Sequence, residues 1–116
     1  MTITRIESGP RMSDVVIHDN TVYLSGVVAE RGETVAEQTQ DILATIEDLL
    51  KQAGSDKRHL LKANIWLVDI STIAEMNRVW DVWVIAGSTP VRATVEARLA
   101  RPEWKVEIMV EAARIS

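Results

Sequence analysis

Two charged residues in the C-terminal third of the chain, Arg92 and Glu107, have the types and setting for chemistry. A guanidinium is a planar fork of donors that matches a carboxylate in two parallel hydrogen bonds, so Arg92 is a candidate anion clamp. A glutamate held in a crevice has its pKa raised by desolvation and can take a proton from water, so Glu107 is a candidate general base. An ordinary solvated surface competes with both assignments, since Arg92 could pair with Glu96 or Glu111 and exposed pairs contribute little. Other nucleophile types are less well placed. Ser25, Ser88 and Thr94 lack a visible His and Asp arrangement, which argues against a triad. His18 and His59 lie beside turns without a partner at metal-ligand spacing, so no metal site is expected. There is no glycine-rich phosphate loop, and no cofactor is expected.

The chain has 116 residues, enough for one core but not two, so a single domain over 1–116 is expected. It carries 13 Lys and Arg against 17 Asp and Glu, and this net charge of −4 argues against nucleic acid as a partner. No apolar run approaches the roughly 18 residues of a membrane span. Residues 1–12 lack the apolar centre of a secretory signal. A cytoplasmic protein without a membrane partner is the simplest expectation. The absence of cysteine excludes disulfides, thiolate metal sites and cysteine nucleophiles. Four Trp beside one Tyr and no Phe point to large rings as core or interface anchors.

The elements that must position Arg92 and Glu107 follow from periodicity. Residues 90–111 read as two strands, each alternating apolar and polar residues: Ala93, Val95, Ala97 and Leu99 in the first, Val106, Ile108, Val110 and Ala112 in the second. Upstream, residues 14–17 and 22–24 form a hairpin about Asp19-Asn20, a pair that tolerates positive φ. Ser25-Gly26 follows, where glycine permits a close backbone approach. Thr34 and Glu37 make a capping box for a helix over 35–52, with Gly54 as its stop. Residues 60–68 read as a central strand. A second capping box, Thr72 with Glu75, opens a helix that carries Met76, Val79, Trp80 and Trp83 and ends near Gly87. Trp80 and Trp83 are expected in the core. The whole is an α+β arrangement, two helices on one face of a mainly antiparallel sheet of five to six strands.

The other sheet face would then carry Arg92, Thr94, Glu96, Glu107, Met109, Glu111 and Trp66. It is too charged for a core, and burial against further copies is expected. If the last two strands pair as a hairpin about residues 100–103, Arg92 and Glu107 stand about 13 Å apart along the sheet. They could share a small ligand only across a subunit boundary or with a different strand pairing.

The run PVRATVEARLARPEWKVEIMVEA resembles the C-terminal signature of the Rid family (YjgF/YER057c/UK114). The segments VYLSG, AEQTQDIL and EMNRVW match the same family in order over nearly the whole chain, and WDVWVIAGSTPVR looks closest to its YoaB-like branch. The resemblance implies a chorismate-mutase-like fold, a homotrimer with a central barrel, and ligand clefts between subunits. It further implies hydrolysis of reactive enamines and imines such as 2-aminoacrylate to 2-oxo acids and ammonia. By the same resemblance, Arg92 would bind the substrate carboxylate, Glu107 would activate water, and Thr94 would contribute backbone groups. Ser25, Gly26 and Asn77 match positions that line or support the cleft. The chain departs from the family pattern where a G-P-Y tyrosine is usual: here the run is Gly9-Pro10-Arg11-Met12, so Arg11 or Met12 stands in place of the phenol. The cysteine common after the motif arginine is Thr94. Two functions stay open at this point, an imine deaminase and a non-catalytic trimeric binder of 2-oxo acids that serves as a sensor. An endoribonuclease is disfavoured by the net charge and the lack of an aromatic and basic patch.

Overall fold

The longest helix, α1 (Val35–Gln52), forms between the two stop signals written into its sequence. The Thr34 side chain accepts from the Glu37 amide at 3.0 Å, and the Glu37 carboxylate accepts from the amides of Thr34 at 3.1 Å and Glu33 at 2.9 Å. These bonds hold the exposed Glu37 carboxyl below its ordinary pKa. Past the other end Gly54 takes φ +78°, a left-handed conformation that costs glycine nothing. Val35, Ile42, Leu43, Ile46 and Leu50 recur at helical spacing and are buried, so α1 lays one stripe on the sheet. Truncating Ile46 to alanine would cost about 2–5 kcal/mol.

The computed structural model describes residues 2–115. Its strands are β1 (Ile3–Ser8), β2 (Ser13–His18), β3 (Thr21–Leu24), the two-residue β4 (Val27–Val28), β5 (Leu60–Leu67), β6 (Val91–Glu96) and β7 (Val106–Ala113), with α2 (Ile73–Trp83) between β5 and β6. They form one sheet in the order β1-β2-β3-β7-β5-β6, and β4 also pairs with β7. Every pairing is antiparallel except β5 with β6. Asp19 turns the β2–β3 hairpin at φ +55°. Ala63, Ile65 and Leu67 of β5 and Val106, Ile108 and Val110 of β7 meet both helices in a single core. Two helices on a mainly antiparallel sheet is the architecture that the periodicity and the resemblance both imply.

Four local expectations are corrected. The strands β6 and β7 do not form a hairpin. β5 lies between them, pairing parallel with β6 and antiparallel with β7. The α2 crossover supplies the long connection that a parallel pair needs. The faces of β6 are therefore the reverse of those read from its alternation. Arg92, Thr94 and Glu96 pair with the buried Ala63, Ile65 and Leu67, so they share the helix-bearing side of the sheet. Val91 and Val95 point the other way and are 70% and 50% exposed, with Met109 also exposed on that open face. Finally, Thr72 forms no side-chain cap on α2. Its hydroxyl donates to the Asp69 carbonyl at 2.6 Å, and Glu75 instead accepts from the Ala36 amide of α1 at 2.9 Å. α2 ends at Trp83 rather than near Gly87, which takes φ +84° in the loop beyond.

Candidate functional site

Arg92 stands exposed on the edge strand β6, yet its side chain is tied to α2. Its Nη1 donates to Asn77 Oδ1 at 2.8 Å, and its guanidinium carbon lies 5.5 Å from the centre of the Trp80 ring. Asn77 and Trp80 are three residues apart, which puts both on one face of α2. Two residues along β6 from Arg92, on the same side of the sheet, the buried hydroxyl of Thr94 has no hydrogen-bond partner among the described residues. On the opposite, open face of the same two strands a hollow of about 180 Å³ is lined by Lys62, Asn64, Val91 and Ala93. Ligand sites usually enclose about 300–1,000 Å³, so one chain offers only part of a pocket here.

Glu107 occupies the opposite, open face, second in β7, beside Val28 of β4 and Trp66 of β5. Gly26, in the bend between β3 and β4, brings its backbone against the Glu107 carboxylate. A Cβ at this glycine would collide with Oε2 and lie 3.0 Å from Cδ. Desolvation pushes the Glu107 carboxyl above its ordinary value, and among the described residues no cation pairs with it. Ser25 precedes Gly26 and donates its amide to the Asp14 carbonyl at 2.9 Å, which ties the start of β2 to this bend. The turn that carries Arg11 and Met12 immediately precedes β2 and is closed by the Gly9 amide donating to the Met12 carbonyl at 2.8 Å. Both residues are exposed.

The sequence-derived candidates thus fall into two groups. Ser25, Gly26 and Glu107 gather at one end of the open face, near the Arg11–Met12 turn. Arg92, Asn77 and Thr94 gather on the helix side of the far edge. The β5 register puts Arg92 level with Val110, three residues and two strands from Glu107. Their Cα positions are therefore about 14 Å apart, with side chains on opposite faces. Sequence reasoning missed Trp80 as a partner of Arg92, although the Asn77/Trp80 spacing was available to reveal it. It also missed Gln38, buried on α1, which donates to the carbonyls of Gly32 at 3.1 Å and Glu103 at 2.9 Å. The same side chain accepts from the Lys105 amide at 2.9 Å, so it ties the segment after β4 to the start of β7. Among the described residues no cluster of three or more His, Asp or Glu side chains could hold a metal ion, and no helix is long and apolar enough to cross a membrane.

A helix-backed, mainly antiparallel sheet with an arginine at its edge and a desolvated glutamate on its open face is the structural class these observations define. The chain belongs to the Endoribonuclease L-PSP family, the YjgF/Rid group, whose model matches residues 2–114. It is 49% identical over 113 residues to the RutC family protein YoaB of Escherichia coli, covering 97% of this chain and 99% of that one. A solved YjgF-family protein from Neisseria meningitidis, NMB1025, superposes with a TM-score of 0.98 at 53% identity, covering 100% of this chain and 98% of that one. A more distant relative, 31% identical over 103 residues (83% of this chain, 74% of that one), is a 2-iminobutanoate/2-iminopropanoate deaminase from Bos taurus.

Proposed function

We propose that the protein is a homotrimeric hydrolase that deaminates small 2-imino acids, with each site built where Arg92 of one subunit meets Glu107 of the next. The observation that carries this assignment is the separation itself. A tethered guanidinium lies on the helix-bearing face of the sheet, whereas an incomplete hollow and a desolvated carboxylate, without a cation partner among the described residues, lie on the open face. Neither can complete the other within a chain. The exposed Val91, Val95 and Met109 on the open face supply apolar surface for such an assembly, and the named activity of the bovine relative supports the reaction class.

The chemistry needs little beyond orientation. Arg92 holds the substrate carboxylate through the donors that Asn77 leaves free. The imine carbon is already electrophilic, so a positioned water suffices as nucleophile. As water adds, Glu107 takes one of its protons. Glu107 passes that proton to the imine nitrogen to give the neutral carbinolamine, then carries the hydroxyl proton to the same nitrogen as the C–N bond breaks, releasing ammonia and the 2-oxo acid. A pKa raised above the ordinary glutamate value by desolvation helps Glu107 both take and return the proton.

The test is breakdown of 2-aminoacrylate generated in place by a dehydratase. Arg92→Ala should raise KM by roughly 10- to 100-fold, the worth of a charge-assisted bond. Wild-type rates indistinguishable from those of Arg92→Ala would refute the assignment. The exposed turn without a phenol at Arg11 and Met12 favours a second reading, a trimer that binds 2-oxo acids without turnover. Calorimetric binding of 2-oxobutanoate with no deaminase rate would select it.

A further inference from the structure

An exposed arginine on an edge strand ordinarily samples many rotamers, and fixing it opposes roughly 2 kcal/mol of side-chain entropy. Arg92 has two restraints, both from α2. Asn77 takes one of its five N–H donors at 2.8 Å, and Trp80 lies under the guanidinium at 5.5 Å, within cation–π range. Trp80 is itself 5% exposed and backed by a second ring. The centroid of Trp83 is 5.5 Å away, inclined at 48°, an arrangement suited to aromatic pairing. Trp83 is fixed in turn. Its Nε1 donates to Glu47 Oε1 at 2.9 Å, the Lys57 ammonium sits 5.5 Å from its ring, and Lys57 lies 3.7 Å from Glu47. A line of contacts therefore runs from α1 through both rings of α2 to the guanidinium at the sheet edge.

We propose that Trp80 is a positioning residue for Arg92. Its ring occupies one face of the guanidinium while Asn77 holds one corner, so the remaining donors present their edge to a planar carboxylate. The role rests on the assignment of Arg92 as the carboxylate clamp. Ring and amide together replace the ion pair that would otherwise hold this arginine, and unlike a carboxylate partner they leave its positive charge uncancelled. Trp83 and Glu47 act one step further back, by denying Trp80 an alternative rotamer.

The experiment uses the full chain with Trp80→Phe, which keeps a ring face, and Trp80→Leu, which does not. Trp80→Met serves if the leucine variant does not fold. The first readout needs no ligand. The Arg92 Nε–H NMR resonance, assigned by its loss in Arg92→Lys and recorded at mildly acidic pH, should move downfield toward a solvent-exposed value in Trp80→Leu as ring-current shielding disappears. Trp80→Phe should fall between. An unmoved resonance in the ring-less variant would overturn the role. The second readout is turnover of 2-iminopropanoate: KM should rise about tenfold in Trp80→Leu and less than about threefold in Trp80→Phe, with kcat nearly unchanged. Equal losses in kcat and kcat/KM, tracking a fall in Tm, would mark Trp80 as merely structural. If wild-type protein neither turns over the imine nor binds 2-oxobutanoate, the functional assignment falls. The resonance still decides whether Trp80 fixes Arg92.

Discussion

Arg92 stands exposed at the sheet edge, held by an amide and an aromatic ring, whereas Glu107 lies half-buried on the other face, paired with no cation among the described residues. The two regions treat charge in opposite ways. At Arg92 the charge is permanent, so the structure can leave it near water and restrict only its direction. At Glu107 the useful property is the proton affinity, and desolvation raises it only if no arginine or lysine neutralises the carboxylate. Placing the two groups within one chain as neighbours would lower the Glu107 pKa and forfeit its reactivity. Within one chain the two stand about 14 Å apart, so Arg92 does not offset the desolvation of Glu107.

The sharpest way to separate the two regions is Glu107→Gln. Turnover should fall by about 10²- to 10⁴-fold, the range for loss of a general base, while calorimetric affinity for 2-oxobutanoate stays close to wild type. Loss of affinity equal to that of Arg92→Ala would merge the two roles and break the comparison. A smaller effect is expected from Gly26→Ala. The new Cβ meets the far end of a flexible side chain, so the Glu107 carboxylate swings aside. Activity should drop about tenfold, with less than about 1 kcal/mol lost in urea unfolding. A fully active Gly26→Ala enzyme would remove Glu107 from the chemistry.

The smallest effect is on stability against pH. The folded-state pKa of Glu107 is raised, so the native chain binds a proton more tightly there than the unfolded chain. Its contribution is fully favourable below the ordinary glutamate pKa and is lost as pH rises through the raised value. Glu107→Gln should therefore match wild type in Tm at acidic pH and exceed it slightly near neutrality. A Tm lower than wild type at neutral pH would mean that the carboxylate is stabilised, not desolvated.

The sequence announces α1 down to its first and last residues, because the capping box and Gly54 act locally and need no tertiary information. The second box fails for a tertiary reason. Glu75 finds the unsatisfied Ala36 amide at the start of α1 and leaves its own helix end, so a long-range bond outcompetes a local one. The alternation of β6 misleads because an edge strand, paired on one side only, can expose its valines and turn its arginine toward a helix. Strand–helix–strand order did contain a clue, since a helical crossover joins parallel neighbours and so puts β5 beside β6. Arg92 and Glu107 stand out in the sequence as candidates by residue type and motif. Their disposition does not, because it depends on β5 inserting between them. Arg11 and Met12 were legible only as a departure from a pattern, and the structure adds that both are exposed in the β1–β2 turn.

The central claim is that each site takes its arginine and its glutamate from different chains. Arg92→Ala and Glu107→Gln chains, each strongly impaired alone at substrate well below the wild-type KM, can be unfolded together and refolded as mixed assemblies. If sites form between subunits of a trimer, random mixing at equal amounts restores roughly a quarter of wild-type deaminase activity. Activity no higher than the sum of the two separate variants would place both residues in one chain's site and contradict the account.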